Sequence, residues 1–495
     1  MFEEIITKDK LKFNELEQSI YKFVCFFGCM ILKLTLESND KKLMECRDKK
    51  QLRHKGLRKN TIKTKMGVVE YKRAMYEINE EGIKKTVYLL DEAMNINTVG
   101  KISENFVQSV IEIVPKTDSY RKAEEVISET TNTTLSFEAI RSLVVKIGDQ
   151  ITSKEKEERK LYNKNQLVAG LKQITALFEE ADGIWINLQG KDRKKQLEKQ
   201  KEECERKNKE FDERRKAKTE LKLHVMYEGW NKNDKRHSLV NKQYIAGIMN
   251  PKEIKELRDA RVYQMYDEKN IRLRVTNGDG AKWTKGITAK GGVYQKDQFH
   301  IMQEITRDVP KEYRNIIVEL INTKQFGKIS KTIEGLKHEL GGEYNVVKNL
   351  NKLQSYLSSD LERYTDLVEV PEAPEGIEYR TMGTQESQIF SKLKNRFCSG
   401  RKAFGKHGAN ALAKVCVLSE KFSLEELEQE IPIDTSVEDW IKEVEAQVKE
   451  NRKNHYAKEK CIESENEGVI KGHLELKFMR EITKMINFSE MKCSF

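Results

Sequence analysis

The stretch Ala181-Asp182-Gly183-Ile184-Trp185-Ile186-Asn187-Leu188-Gln189 is an apolar, partly alternating run that suits a buried strand. Asp182 is out of place near the start of such a strand, because an unpaired buried carboxylate is costly. A second stretch repeats the arrangement. Ile271-Arg272-Leu273-Arg274-Val275-Thr276 alternates apolar and polar residues, then delivers Asn277-Gly278-Asp279-Gly280 and, three residues on, Trp283. Two strand-associated Asp-Gly pairs, each followed closely by a tryptophan, would bring Asp182 and Asp279 together in one sheet. Adjacent carboxylates repel, and a site that keeps both ionised normally holds a divalent cation.

The rest of the chain narrows what such a site would serve. At 495 residues there is room for roughly two to four domains. A formal net charge of +11 favours a polyanionic partner without identifying one. A charged fraction of 35% with 6 prolines reads as helix-rich and soluble, and 38% hydrophobic residues still suffice for real cores. The longest apolar run, Phe23 to Leu32, is bounded by Lys22 and Lys33 and falls short of the ~20 residues a membrane span needs, so no membrane partner is expected. The eight cysteines are scattered. Only Cys25 and Cys29 lie close together, on one helix face and without a second Cys/His pair at zinc-finger spacing. They read as core thiols of a reduced, cytoplasmic protein.

Residues 9–37 carry an amphipathic helical pattern, with Phe13, Leu16, Ile20, Phe23 and Phe27 on roughly one side. That side packs on its own chain or pairs with another copy of the protein. A basic patch follows (Arg47, Lys49, Lys50, Arg53, His54, Lys55, Arg58, Lys59) and leads into strands at Thr61–Lys65, Gly67–Arg73 and Lys85–Leu90, a small basic β-ribbon. Residues 103–149 read as three helices: Phe106–Val114, a second capped by Ser119, and a third capped by Ser136 and ending near Gly148. A short turn between two such helices is the outline of a helix-turn-helix, whose exposed face would offer Arg141 and Lys146 to DNA.

Helix is expected to continue from residue 151 to 175, ahead of the Asp182 strand. The charged run Lys191–Lys218 reads as solvated. Strands at Leu221–Tyr227 and near Tyr244–Ile248 come next, then a helix opened by Asn250 and Pro251, then the Ile271 strand. This β-β-β-α-β order, with acids on the first and fourth strands, is that of a ribonuclease-H-like fold. Residues 310–365 read as a helical insertion. Gly383–Gln388 opens a helix whose inward face carries Ile389, Phe390, Leu393 and Phe397, with Glu386 in register along that side. An acid in a first helical turn also simply favours the helix dipole. Past residue 416 the chain is charged and helical, with Trp440 the only landmark.

In these residues the sequence resembles the ISLre-type bacterial insertion-sequence transposases, which belong with the mutator-like DDE enzymes. The resemblance is carried by Ala181-Asp182-Gly183 through Gly190, Tyr227-Glu228-Gly229-Trp230, Asp279-Gly280-Ala281-Lys282-Trp283, Asp297-Gln298-Phe299-His300 and Gly383-Thr384-Gln385-Glu386-Ser387 to Asn395-Arg396. Thr61 to Tyr76 and Ser119-Tyr120-Arg121-Lys122-Ala123 match the N-terminal region of that family. The resemblance implies that Asp182, Asp279 and Glu386 form a DDE triad holding Mg²⁺, with Mn²⁺ as a substitute. It implies that Asp297 and His300 are an Asp-x-x-His element, with His300 near the scissile phosphate or, alternatively, structural. Arg396, Arg401 and Lys402, around the segment after the glutamate, would meet DNA. Many relatives carry tryptophan in that segment, where this chain has Phe404.

The expected architecture is an α/β catalytic core of ribonuclease-H-like type with a helical insertion, an N-terminal α+β DNA-binding region and a helical C-terminal tail. Its parts would be residues 1–60 (helix and basic segment), 61–102 (β-ribbon), 103–150 (helix-turn-helix-like), 170–309 (core), 310–380 (insertion), 381–415 (glutamate helix) and 416–495 (C-terminal region). The expected function is a DDE transposase of a bacterial insertion sequence, bound to the nucleoid. It would take double-stranded DNA, both transposon ends and target, as partner and act as a homo-oligomer. The competing readings are a DNA-binding protein without chemistry, such as a decayed copy, and a nuclease of the same fold.

Overall fold

Twelve residues of extended chain, Ala176–Asn187, form the central strand of the main sheet in a computed structural model of the protein. The structure describes residues 12–432 except 81–82, 95, 97, 100, 213–215, 234–235, 342–343, 359–369, 371, 419–421 and 423. Trp440 and most of the expected helical tail lie outside the described residues. Strands are numbered in chain order. β1 (Arg53–Thr64), β2 (Gly67–Glu80), β3 (Ile83–Val87), β4 (Thr98–Val99) and β5 (Ile102–Ser103) make a first sheet in the order β3-β2-β1-β5-β4. β6 (Ala176–Asn187), β7 (Lys218–Tyr227), β10 (Gln243–Gly247), β11 (Leu273–Gly278) and β12 (Val293–Lys296) make the main sheet, in the order β10-β7-β6-β11-β12. β8 (Trp230–Asn233) and β9 (Arg236–Leu239) form a separate hairpin. The fold is mixed α/β.

Within the main sheet β7 runs antiparallel to β6 and β10 antiparallel to β7, whereas β11 runs parallel to both β6 and β12. The β10–β11 connection is the helix Pro251–Met265, opened by a full capping box between Asn250 and Glu253. The expected helix over 151–175 is corrected. The helix Phe137–Asn163 ends twelve residues before β6, so Asp182 lies mid-strand rather than near a strand start. Leu177 and Phe178 are fully buried there, and Glu179-Glu180 in the same strand disguised it as a polar segment.

Gly148 does not end its helix. The helix runs on for fifteen further residues, and a Cβ at Gly148 would sit 2.4 Å from Ala411 Cα. The glycine is there for close packing against the helix Lys406–Cys416, not for a cap. That contact lies in the largest core cluster, which also joins Ile140, Val144, Ile184, Leu223, Leu393 and Leu412. The insertion helices Arg314–Asn322, Phe326–Glu339 and Tyr344–Ser358 close a core of their own on Ile301 and Ile305.

The N-terminal helix spans Phe13–Cys46 and runs through both Lys22 and Lys33. The reading that these lysines bound a run too short for a membrane is therefore corrected: by length and composition this helix is long and apolar enough to cross one. Its C-terminal half is fixed to β2, where Glu37 Oε1 accepts from Lys72 N at 3.0 Å and Asp40 Oδ2 from Ala74 N at 2.8 Å. Leu36 of the helix packs with Ile62, Val69 and Tyr71 of the ribbon.

Candidate active site

Parallel pairing of β11 with β6 sets Gly278 opposite Ala181, so Asp279, one residue past β11, falls level with Asp182. Both acids are half-buried. Asp279 Oδ1 accepts from Ala281 N at 2.8 Å and from the Thr284 hydroxyl at 3.2 Å. Burial raises the proton affinity of Asp279, the charge of Asp182 raises it further, and these donors together with His300 only partly oppose the shift. A half-buried carboxylate whose ionisation a second carboxylate opposes belongs to the kind of donor set a divalent cation relieves.

His300 joins this pair. Asp297 caps the helix Gln298–Asp308 through His300 N at 3.1 Å, and that cap places the imidazole 3.5 Å from Asp182 Oδ2. The three-residue spacing of Asp297 and His300 is thus capping geometry. Burial alone would lower the imidazole pKa, but Asp182, Asp297 and Asp279 outweigh it and raise the value.

Glu386 Oε1 pairs with Lys394 Nζ at 2.6 Å. Among the described residues no group of three or more His, Cys, Asp or Glu side chains is close enough to hold a metal ion. The expected face of this helix is also corrected. Ile389, Leu393 and Phe397 are buried, but Phe390 is 55% exposed, because a π turn at Phe390–Lys394 breaks the register. Glu386 shares the outward side with Phe390 and Lys394.

What holds the Glu386 segment to the sheet is a residue the sequence reading passed over. Side chains alternate along β6, so Glu180 shares a face with Asp182. The buried Glu180 carboxylate accepts from Gly383 N (3.2 Å), Thr384 N (3.3 Å), Gln385 N (3.0 Å), the Thr384 hydroxyl (2.8 Å) and the Tyr227 hydroxyl (2.7 Å). Gln385 Nε2 adds a bond to Leu223 O, on the residue paired with Asp182. The available signal was the pair of acids inside an otherwise apolar strand.

A model of an uncharacterised protein family, UPF0236, matches residues 6–212 and 204–425. The chain belongs to the UPF0236 family. No curated protein matches this UPF0236 chain. Among solved structures it is similar to a chain of the Drosophila P element transposase strand transfer complex, at 8% identity and a TM-score of 0.19, over 68% of this chain and 84% of that one.

Glu179, on the opposite face of β6, anchors the UPF0236 sheet from behind. It is fully buried between Arg258 Nη1 at 3.0 Å and Arg274 Nη2 at 2.5 Å, with His224 Nε2 at 3.4 Å. Burial would raise its pKa, but the two guanidinium groups override that and hold it well below the usual carboxylate range. The expected DNA contacts divide. Arg401 and Lys146 are exposed, and Arg141 is exposed but paired with Glu138 at 2.7 Å. Lys402 donates to Asp118 O at 2.6 Å. Arg396 is only 3% exposed, donates to Asp118 O and lies 4.7 Å above the Tyr120 ring, so it is a packing residue in this arrangement.

Proposed function

We propose that this chain is a DNA-cleaving and strand-transferring enzyme of the DDE transposase type, built on a ribonuclease-H-like core. The observation that carries this reading is the meeting of Asp182 and Asp279 on neighbouring parallel strands, with His300 3.5 Å from Asp182. The strand order supports the core assignment: β6 is central, with the antiparallel meander β6-β7-β10 on one side and β11 and β12, both parallel to β6, on the other.

A divalent cation bound there, Mg²⁺ or Mn²⁺, would polarise the scissile phosphate and make a bound water acidic. Asp182 and Asp279 would hold it, since magnesium is commonly bound by one or two carboxylates with water and phosphate oxygens filling the other positions. His300, raised in pKa, donates a hydrogen bond to a phosphate oxygen of the bound strand. Glu386 completes the acid set once a DNA phosphate draws Lys394 away from it. The basic ribbon supports a DNA partner. Exposed Lys59 and Lys72 lie directly opposite each other on β1 and β2, a like-charge pair that costs stability until a polyanion covers it.

The Glu386–Lys394 pair favours one second reading, a DNA-binding protein without cleavage. The deciding experiment incubates the full chain and Mg²⁺ with duplexes carrying the inverted repeats that flank its gene. Wild type should nick the repeat ends, whereas Asp182→Asn and Asp279→Asn should bind equally well and cut nothing. Tight binding without nicking by any of the three proteins would establish the second reading.

A further inference from the structure

Asp279 sits one residue beyond the reach of the sheet. β11 pairs with β6 and with β12 as far as Gly278, whose carbonyl accepts from Asp297 N at 2.8 Å, and there the ladder stops. The peptide unit that follows the acid is held instead by two tyrosine hydroxyls. Tyr356 Oη donates to Asp279 O at 3.0 Å, and Gly280 N donates to Tyr294 Oη at 2.9 Å. A trans peptide directs its C=O and N–H to opposite sides, so the planar unit is pinned from both. Tyr294 belongs to β12 and Tyr356 to the insertion helix Tyr344–Ser358. Lys296, two residues along β12 and 1% exposed, seats Tyr356 by its carbonyl and its ring. The glycines on either side of Asp279 are where this clamp closes. A Cβ at Gly278 would lie 3.2 Å from Tyr294 Oη, and one at Gly280 would lie 2.7 Å from Lys296 Cε and 3.5 Å from Tyr356 Cε2.

We propose that Tyr294 and Tyr356 are positioning residues for Asp279, and that the insertion thereby forms part of the cation site. This rests on the reading of Asp182 and Asp279 as ligands of a divalent cation. The peptide before Asp279 is fixed by the ladder and the one after it by the tyrosines. Both backbone torsions of the acid are therefore set, and with them the direction of its Cα–Cβ bond. The carboxylate is then held by Ala281 N and the Thr284 hydroxyl, and Thr284 Oγ1 is itself 3.3 Å from Tyr294 Oη. Tyr294 thus reaches the acid twice, through the backbone and through Thr284. Attaching the insertion does not require this peptide, because its helices already close a core on Ile301 and Ile305. Loss of a group that orients a metal ligand from behind commonly costs ~10–100-fold in affinity.

The test is Mn²⁺ binding by the full chain without DNA, read from loss of the free-ion signal in electron paramagnetic resonance. Wild type should bind Mn²⁺ at a site that Asp279→Asn abolishes. Tyr356→Phe keeps the ring over Lys296 and removes only the hydroxyl. It and Tyr294→Phe should each weaken that site by roughly tenfold. Ile333→Val, in the fully buried core of the insertion, lowers the melting temperature but leaves both hydroxyls in place, and it should bind Mn²⁺ as wild type does. Wild-type affinity in both tyrosine variants, with Asp279→Asn deficient, would overturn the clamp and leave the metal site standing. Equal weakening by Ile333→Val would reduce the tyrosines to general stability and overturn it as well. Mn²⁺ bound no better by wild type than by Asp279→Asn would overturn the metal reading and, with it, this role for the tyrosines.

Discussion

The Thr384 hydroxyl donates to Glu180 Oε1 at 2.8 Å across 204 residues of sequence, and this bond ties the segment before Glu386 to the strand that carries Asp182. Three backbone N–H groups and the Tyr227 hydroxyl converge on the same carboxylate. Every one of these groups is a donor, so an acceptor is needed at that point. Glu180→Gln sets an amide N–H₂ against them and should cost about 1–3 kcal/mol. Urea unfolding would measure the loss. Protease cleavage within 383–388 should rise by more than global destabilisation accounts for, and an unchanged cleavage rate would refute the docking role.

Acid should unfold this protein partly through Glu179. Its folded pKa lies well below the ordinary value of ~4.3, because Arg258 and Arg274 overcome the effect of burial. The stability it contributes is therefore complete above that ordinary value and is lost as pH falls through the depressed one. Glu179→Gln removes the buried carboxylate between Arg258 and Arg274, leaves Arg258 paired with Asp259 at 2.6 Å, and should cost up to about 3–5 kcal/mol at neutral pH. Unfolding free energy against pH should be flatter for the variant below pH ~4.3 than for wild type.

Gly148→Ala tests the helix contact with Ala411. Alanine raises helix propensity by up to about 1 kcal/mol. The new Cβ, however, would stand 2.4 Å from a backbone carbon, which cannot swing aside as a side chain would. Overpacking should win, lowering stability by about 1–3 kcal/mol net. A rise in melting temperature would contradict the packing argument.

The ribbon lysines should be visible in salt dependence. If Lys59 and Lys72 each neutralise one phosphate, Lys59→Ala/Lys72→Ala should reduce the slope of log affinity against log salt by about 1.8. Fluorescence anisotropy on a labelled duplex between low and moderate salt measures it. An unchanged slope would move the DNA contact elsewhere.

The two Asp-Gly pairs were legible because each interrupts or follows a strand pattern, and pairing of β11 with β6 then places them level. The capping residues Ser119, Ser136 and Asn250 were equally legible, since each accepts from the backbone within its own first turn. What stayed hidden depends on partners far away in sequence. Glu179 and Glu180 look solvent-loving until Arg258, Arg274 and residues 383–385 surround them. Gly148 looks like a helix end until Ala411 arrives. The π turn after Glu386 shifts a register that a regular helical wheel assigns wrongly, which is why Phe390 and the acid were expected inside.

The inserted helices reach back to the acids through Tyr356. The Tyr356 hydroxyl donates to Asp279 O at 3.0 Å, while Lys296 Nζ donates to Tyr356 O and lies 3.6 Å above its ring. A pull on the last inserted helix is consequently transmitted to the very peptide that aims the Asp279 carboxylate. A partner that gripped the far end of the insertion would thus be felt at the backbone carbonyl of Asp279.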